Sequence, residues 1–453
     1  MPLLCGLIVC FLSGLTDVKI LDIQVVEIFA ILLLPFIFLP RNFKIDASRI
    51  VIDFIPKVLW LLFFMLVGSL LSLRLTFYPP GDYGILKTPP YASFVRLFEI
   101  MVAISCLFVV AIAAQGKANK LDKLLFAFVI GGIINSIWAI TSWIAWQSGV
   151  ELGGAYEFGI LRMRGFFAEG GPLGVYLVGA ILVQLTRYFY FRTASKRTLI
   201  IFCGVMVVAL VGSQSKAGIL LCAGLAIYYL YLMKRIGVVF CAFAILVPVA
   251  AATDVYEGLS GYYENIERFE AAARERPDDV SLVMGRVMGS VLLPRIVEAH
   301  PLLGVGIGNY SLVRNDPEIL QGLPRVRGWD LHGLGLLGYA AELGIPLTLY
   351  LLWLYAYPMR VAPKQSGWLR LLGAYALMAA LFGVQINFAY PWIIAGFALA
   401  AVAVEKRALR LRQLASLTPA TQGGMAIAAE GRQARLTTFV PRSRRPQRRP
   451  ASR

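Results

Sequence analysis

Long apolar runs recur along this chain and limit what it can fold into. A helix of roughly twenty apolar residues crosses the hydrocarbon core of a bilayer. Hydrophobic residues make up 58% of the chain and charged residues 15%, against about 45–50% and about 25% in soluble proteins. The sequence therefore predicts an all-α polytopic membrane protein with about twelve transmembrane helices. The predicted spans are approximately 3–15, 24–40, 57–73, 97–114, 124–146, 171–188, 199–212, 216–233, 236–252, 333–356, 369–384 and 386–403.

Basic residues cluster at alternate span exits, and cytoplasmic loops of membrane proteins carry the excess of Lys and Arg. We therefore expect both termini to be cytoplasmic in the inner membrane of a bacterium, with the odd-numbered exits on the periplasmic side. The basic residues that follow the even-numbered spans are Arg41, Lys44, Arg49, Lys117, Lys120, Lys123, Arg187, Arg192, Lys196, Arg197, Lys234, Arg235, Arg360, Lys364 and Arg370.

Four regions follow from this pattern. Residues 1–252 hold spans one to nine, 253–331 form a large, partly helical periplasmic loop, and 332–404 hold spans ten to twelve. The basic tail at 405–453 is too polar to bury a core, so we expect a disordered cytoplasmic segment that contacts anionic lipid. The first segment, 3–15, is short enough for a signal-peptide core, but no basic residue precedes it.

Net charge and cysteines exclude some partners. The formal net charge of +17 is explained by cytoplasmic loops and the tail, so no nucleic-acid partner is expected. All six cysteines lie inside apolar runs without metal-ligand spacing, and the two histidines lack neighbouring Cys or carboxylate ligands at such spacing. Neither a metal nor a cofactor is expected.

The polar chemistry gathers at 285–346, which contains both histidines. A helix is predicted over 281–299, ended by Pro301. The GVGIG run at 304–308 has Asn309 where a dinucleotide-binding motif needs a spaced glycine, so a tight turn is the better interpretation. His300 ends the predicted helix, where the helix dipole explains it better than catalysis does, although a supporting role in the site stays open.

His332 follows Asp330 at the mouth of span ten. A neutral histidine at a membrane surface can accept a proton from a sugar hydroxyl, and Asp330 would orient it. An interfacial histidine without a catalytic role is the alternative.

Three cations stand at the outer ends of other spans: Arg162 and Arg164 in RMRGFF, and Lys216 in the SQSK turn. A guanidinium matches phosphate oxygens in a bidentate manner, so these residues suit an anion clamp. Interfacial anchors that extend to the membrane surface fit the composition equally well.

Four places together resemble the O-antigen ligase and O-antigen polymerase superfamily of bacterial envelope enzymes. They are RMRGFF at 162–167, SQSKAG at 213–218 with Lys216 in place of the usual Arg, GR at 285–286 followed by HPLLGVGIGNY at 300–310, and DLH at 330–332 followed by ELGIP at 342–346. The third and fourth, in this order and spacing, are the most specific, and the resemblance covers roughly spans five to eleven.

The resemblance implies a metal-independent glycosyltransferase. It would move an undecaprenyl-diphosphate-linked glycan onto a sugar hydroxyl of lipid A–core at the periplasmic face. Arg286 with Arg162 or Arg164 would hold the diphosphate, with Lys216 adding positive charge, and His332 would be the base. The same motifs also resemble those of a polymerase, which joins lipid-linked repeat units.

A transporter of polysaccharide or lipid is the rival class, and a membrane scaffold stays open because each of these residues also has a structural explanation. Transporters keep ionisable groups near the bilayer midplane. Here Glu27, Glu99 and Glu342 lie nearer the span ends, which argues for chemistry at the surface.

Overall fold

The computed structural model describes residues 2–20, 23–37, 49–79, 87–114, 116–158, 160–235, 237, 271–277, 286–325 and 335–417. Most of these residues are helical. The strands within the described ranges form two short antiparallel pairs, β1 (Lys19–Ile20) with β2 (Ile23–Gln24) and β3 (Ala155–Phe158) with β4 (Ile160–Met163). The second pair is a tight hairpin, which we call the hairpin below.

The helices fall into two groups along the chain, before residue 235 and after residue 285. Those before residue 235 are α1 (Pro2–Leu12), α2 (Val25–Ile37), α3 (Arg49–Leu75), α4 (Pro89–Ala114), α5 (Ala118–Gln147), α6 (Gly170–Thr186) with a π-helix at Arg187–Phe191, α7 (Lys196–Ser213) and α8 (Lys216–Leu232). Those after residue 285 are α9 (Arg286–Ala299), α10 (Tyr310–Val313), α11 (Pro317–Leu320), α12 (Leu336–Val361), α13 (Gly367–Leu381) and α14 (Ala389–Leu417).

The chain is thus a mostly helical protein, and its described residues include six helices long and apolar enough to cross a membrane: α3, α4, α5, α6 with its π-helix, α7 and α12. Each predicted span except 236–252 overlaps a helix. That span lies, apart from residue 237, outside the described residues. The total of twelve crossings stays a prediction, because α1, α8 and α13 are shorter.

The centre of the helical bundle is formed by α4 and α14. Nearly every residue of α14 between Ala389 and Ala403 is buried, as expected for a helix that is apolar on all sides. A Cβ atom on Gly396 would lie 2.7 Å from the Leu107 carbonyl oxygen, so the two backbones touch. Small residues permit such close packing between membrane helices. Past the predicted end of span twelve at residue 403, α14 continues to Leu417, and the rest of the tail lies outside the described residues.

Residues 286–325 of the predicted outer loop form a folded unit, which we call the cap. Its own apolar core contains Leu292 and Ile296 of α9, Val313 of α10 and Leu320 of α11, and it packs onto Ala341 of α12. The predicted helix 281–299 is observed from Arg286 to Ala299, and residues 278–285 lie outside the described part. This part of the loop is partly helical, as the sequence indicated.

The cap enters the bundle where α12 is broken at Gly344, whose φ of 75° and ψ of 164° are not helical. Pro346 has no N–H and disfavours helical backbone before it. The cap occupies the opening: Ile345 N–H donates to the Pro301 carbonyl at 2.8 Å, and Val305 N–H donates to the Ala341 carbonyl at 2.9 Å. The break within ELGIP, which the sequence analysis did not predict, is therefore a docking point.

Contacts between connections sort the bundle into two ends. The hairpin end holds the hairpin, the 213–216 turn, the cap and the start of α12. The opposite end, which we call the Glu405 end, holds Asp122 near the start of α5 and the connections that carry Thr193 and Ser366. Among the described residues, the exits 147–170 and 213–216 and the cap lie at the hairpin end, and the basic exits after α6 and α12 lie at the Glu405 end. Which end faces the cytoplasm stays a prediction.

Candidate functional site

Arg162 lies on β4 opposite Tyr156 and points to the connection between α7 and α8. Its Nε and Nη2 donate to the carbonyl oxygens of Ser213 and Gln214, each at 3.2 Å. The guanidinium also lies 5.9 Å from the centre of the Tyr156 ring. The structure therefore brings RMRGFF and SQSKAG together, and the half-buried Arg162 holds the carbonyl end of α7 while Nη1 has no hydrogen-bond partner among the described residues.

Arg164 is held on several sides by its own end of the bundle. Its Nε donates to the Gly153 carbonyl at 2.7 Å, and Nη1 donates to the Ala168 carbonyl at 3.3 Å. The same Nη1 lies 3.5 Å from a carboxylate oxygen of Asp17, in the connection after α1. These contacts fit the interfacial anchor better than the anion clamp, so Arg164 has a structural explanation here.

Lys216 begins α8 and is exposed. Ser215 caps this helix by accepting from Gly218 N–H at 3.0 Å, and its hydroxyl donates to the Gly171 carbonyl at 2.8 Å. The start of α6 thereby lies against the start of α8. The Lys216 ammonium makes no hydrogen bond or ion pair with any residue that the structure describes, and it stands at a helix N-terminus, where the partial charge favours anions.

Asn135 of α5 binds the backbone of the RMRGFF segment. The sequence analysis did not single out this residue. It is fully buried. Its Nδ2 donates to the carbonyls of Gly14 and Gly131 at 3.0 and 3.1 Å, and its Oδ1 accepts from Phe166 N–H at 3.1 Å. One signal existed in the sequence: an amide inside an apolar span needs partners in the protein, because lipid offers none.

The glycine loop, residues 301–309, is buried from Gly304 onward and lies between α3, α4 and α12. Gly304, Gly306 and Gly308 have φ between 64° and 85°, a region that suits glycine. Ile307 N–H donates to the hydroxyl of Ser69 at 3.1 Å. The tight turn predicted for these glycines is confirmed, and the glycines serve close packing against the bundle.

His300 follows the last residue of α9, the helix-end position that the sequence indicated. Its N–H donates to the Ile296 carbonyl at 2.9 Å. Burial lowers the pKa of the half-buried imidazole below its ordinary value, and the nearby Asp316 carboxylate opposes that shift. The neutral imidazole is therefore favoured at neutral pH.

The remaining predicted site residues lie at the edge of what the structure describes. Arg286 opens α9, but its side chain lies outside the described part, as do His332 and Asp330. The residues that flank 326–334 are Arg325, which ends the described part of the cap, and Gly335. A Cβ on Gly335 would meet the Ala380 carbonyl oxygen at 2.7 Å, so the chain returns to the bundle at the hairpin end.

The described residues bear on which ligand the site could hold. Among the described residues, no group of three or more His, Cys, Asp or Glu side chains is arranged to hold a metal ion. The cations that are gathered at the hairpin end suit an anionic ligand instead.

Comparison with known proteins places the chain in no family. A scan against protein-family models finds no match, and neither does a search of curated proteins.

Proposed function

We propose that this protein is a membrane glycosyltransferase of the O-antigen ligase type. It would transfer a glycan from undecaprenyl diphosphate to a sugar hydroxyl of lipid A–core on the periplasmic face of the bacterial inner membrane. No metal or cofactor takes part in the proposed reaction.

One observation carries the proposal: the described parts of the four motifs lie at the hairpin end, joined in two pairs. Arg162 binds the turn that contains Lys216. The HPLLGVGIGNY loop is seated in the break of ELGIP, and Gly335, which follows the His332 segment, packs beside α13 at the same end. Described residues far apart in the chain thus lie at the same end as the cations Arg162 and Lys216, which supports the proposal.

The chemistry divides between these two sides. Arg162, Lys216 and Arg286 would bind the diphosphate and stabilise the negative charge that grows on it as it leaves. His332 would accept the proton of the acceptor hydroxyl. At the same time the hydroxyl oxygen forms the bond to the anomeric carbon of the donor glycan. The bond between that carbon and the diphosphate oxygen breaks, and lipid diphosphate departs with the electron pair. Arg164 would position the RMRGFF segment.

The membrane setting agrees with a lipid-linked substrate. A polyprenyl chain stays in the bilayer, so its diphosphate and first sugar stand at the interface where helices end. If the Glu405 end and both termini are cytoplasmic, the hairpin end meets substrates that have already been moved across the membrane. This orientation rests on the distribution of basic residues.

The test uses purified full-length protein, an undecaprenyl-diphosphate-linked glycan, a chelator, and two acceptors offered separately: lipid A–core and a second lipid-linked repeat. We expect product on lipid A–core with the wild type and a loss of at least a hundredfold with His332→Ala, since a general base contributes about 10²–10⁴ in rate. The matched control is Lys364→Ala, because Lys364 is an exposed lysine that precedes a helix at the Glu405 end; its activity should be unchanged.

Each other result has a distinct meaning. A lengthened lipid-linked glycan would identify a polymerase in place of a ligase. Wild-type activity in His332→Ala would overturn the assigned base. Absence of product with either acceptor, together with movement of the lipid-linked glycan across vesicles, would replace the enzyme with a transporter.

A further inference from the structure

A second polar cluster lies at the hairpin end, away from the cations described above. It joins Arg96 and Glu99 of α4 to Asn387, which stands in the connection between α13 and α14. One Glu99 carboxylate oxygen, Oε2, accepts from Arg96 Nη1 at 2.8 Å and from Asn387 Nδ2 at 3.1 Å. We call these three residues the Arg96 triad.

The Arg96 triad leaves hydrogen-bonding groups unused. Within the described part of the chain, Glu99 Oε1 and Arg96 Nη2 have no partner, and Asn387 Oδ1 is a buried atom without one. An amide offers two donors and an acceptor, a carboxylate two acceptor oxygens, and a guanidinium five donors. On the partly exposed side chains, Glu99 Oε1 remains as an acceptor and Arg96 Nη2 as a donor, which is the pairing that a sugar hydroxyl requires; the half-buried Asn387 holds Glu99 in place.

Arg96 and Glu99 are partly exposed, and both lie well inside α4 and not at its first turn. The side chains of Arg96 and Glu99 are 14% and 31% exposed. They lie seven and ten residues after Pro89, the start of α4, which is about 10–15 Å along the helix. Ionisable groups this close to hydrocarbon are costly and tend to mark a substrate site.

The surroundings connect the Arg96 triad to both halves of the proposed site. Gly335, which follows the His332 segment, packs on Gly383 of the connection that also carries Asn387. The ring of Phe388 lies 5.5 Å from Tyr390, and Tyr390 lies 6.2 Å from Phe167 of the RMRGFF segment. Two ring contacts thus separate Phe388, the residue that follows Asn387 in the chain, from the segment that carries Arg162.

We propose that the Arg96 triad is a saccharide-binding subsite that holds the hydroxyl groups of the acceptor sugar. The assignment to the acceptor rests on the proposed function, because the Arg96 triad lies on the side where the His332 segment returns to the bundle, and the base acts on the acceptor. The diphosphate of the donor is bound by the cations near the hairpin.

The test measures binding directly, so that it does not depend on catalysis. Purified full-length protein is titrated with two soluble probes: core oligosaccharide freed from lipid A, and a repeat-unit oligosaccharide freed from its lipid. We expect the wild type to bind one probe and Asn387→Ala and Glu99→Gln to bind it at least tenfold more weakly, with unchanged thermal midpoints. In the transfer assay the same variants should raise the KM for the acceptor and leave the KM for the donor unchanged.

Two controls separate this role from a structural link between α4 and α14. Arg96→Lys keeps the charge and the helix but loses the guanidinium fork, so it should fold normally and still weaken binding. Glu405→Gln removes a carboxylate that accepts hydroxyl hydrogen bonds at the other end, and its binding should equal the wild type. Equal binding by all variants, or no binding by the wild type, would overturn the subsite. Saccharide binding by a protein without transfer activity would overturn the proposed function and leave the subsite standing.

Discussion

The carboxylate groups at the two ends of the bundle are hydrogen-bonded to different extents. At the Glu405 end, Arg187 donates to both carboxylate oxygens of Asp122 at 2.8 and 3.3 Å and to Gln184 at 3.2 Å. The Thr193 hydroxyl donates to the same carboxylate. Glu405 accepts from the hydroxyls of Tyr190 and Ser366. Both carboxylate oxygens of Asp122 and of Glu405 are thus engaged within the protein, although basic residues at this end such as Arg197 and Lys364 are exposed.

At the hairpin end the matching is incomplete. Arg164 is satisfied by carbonyls and by Asp17, but Lys216 and part of Arg162 face solvent without a protein partner among the described residues. The Arg96 triad also keeps unused acceptors. Buried polar groups are normally paired inside a protein, and unpaired ones occur at both ends, such as Gln184 Nε2 and Asn387 Oδ1. The difference lies in the carboxylates: both oxygens of Asp122 and Glu405 are engaged, whereas Oε1 of Glu99 has no partner among the described residues.

The largest expected effect tests how firmly the cap is docked at the hairpin end. Gly344→Ala would place a Cβ 2.2 Å from the Leu302 carbonyl oxygen at a backbone conformation that only glycine adopts readily. We expect a loss of about 3–5 kcal/mol in the free energy of unfolding, measured by thermal unfolding in detergent. Gly367→Ala at the Glu405 end has open space around it and should change stability by less than about 0.5 kcal/mol. Equal effects would show that the cap is not firmly docked.

The next effect concerns the matched charges. Arg187→Ala leaves the mostly buried Asp122 carboxylate without its cation, so we expect a loss of about 2–3 kcal/mol in the free energy of unfolding. Arg197→Ala removes an exposed arginine of α7 and should lie within about 0.5 kcal/mol of the wild type. Unchanged stability in Arg187→Ala would mean that the Glu405 end does not depend on this pair.

A smaller effect is expected at Lys216, where a substitution should change donor affinity but not thermal stability. Lys216→Ala should leave the thermal midpoint unchanged, because the exposed ammonium contacts no described residue. Donor affinity should fall about fivefold, since a charge-assisted hydrogen bond in a partly exposed site is worth roughly 1 kcal/mol. Titration with a soluble prenyl diphosphate measures this change, with Lys364→Ala as the control from the Glu405 end. A thermal shift without a change in affinity would make Lys216 a structural residue.

The smallest effect is a pH dependence of the cap. The pKa of His300 lies below its ordinary value in the folded protein because the imidazole is buried. The unfolded chain therefore binds more protons as the pH falls through about 6.5, and stability falls with it. His300→Gln cannot titrate, so it should lose less stability than the wild type between pH 7.5 and pH 5.5, as followed by thermal midpoints. An identical loss in both proteins would assign the acid sensitivity to other groups.

The sequence predicted the helices well because the signal for them is local. An apolar run of about twenty residues needs no knowledge of its neighbours to be recognised, and every predicted span in the described ranges overlaps a helix. The tight glycine turn and the helix before His300 were likewise predictable from Gly and Pro. The hairpin was not predicted, because four-residue strands beside a span carry little periodic signal.

The site was predictable in part. Motif resemblance singled out Arg162 and Lys216 without showing that Arg162 binds the carbonyls of Ser213 and Gln214, in the turn that carries Lys216. Glu99 was noted only as an ionisable group near a span end, and Asn135, Arg96 and Asn387 were missed. Two of these pairings join residues far apart in the chain: Asn135 binds Gly14 across 121 residues and Asn387 binds Glu99 across 288. Such pairings leave no pattern within one segment.

By itself the sequence determined that this chain is a helical membrane protein whose polar residues gather in a few connections. That outcome follows from composition and local runs, because burial in lipid acts on each segment separately. Only the tertiary structure decided which polar residues are used up in holding the fold and which remain available to a ligand. The physical reason is that a charged or amide group is satisfied by whatever the fold places within about 3 Å of it, and that neighbour is set by packing.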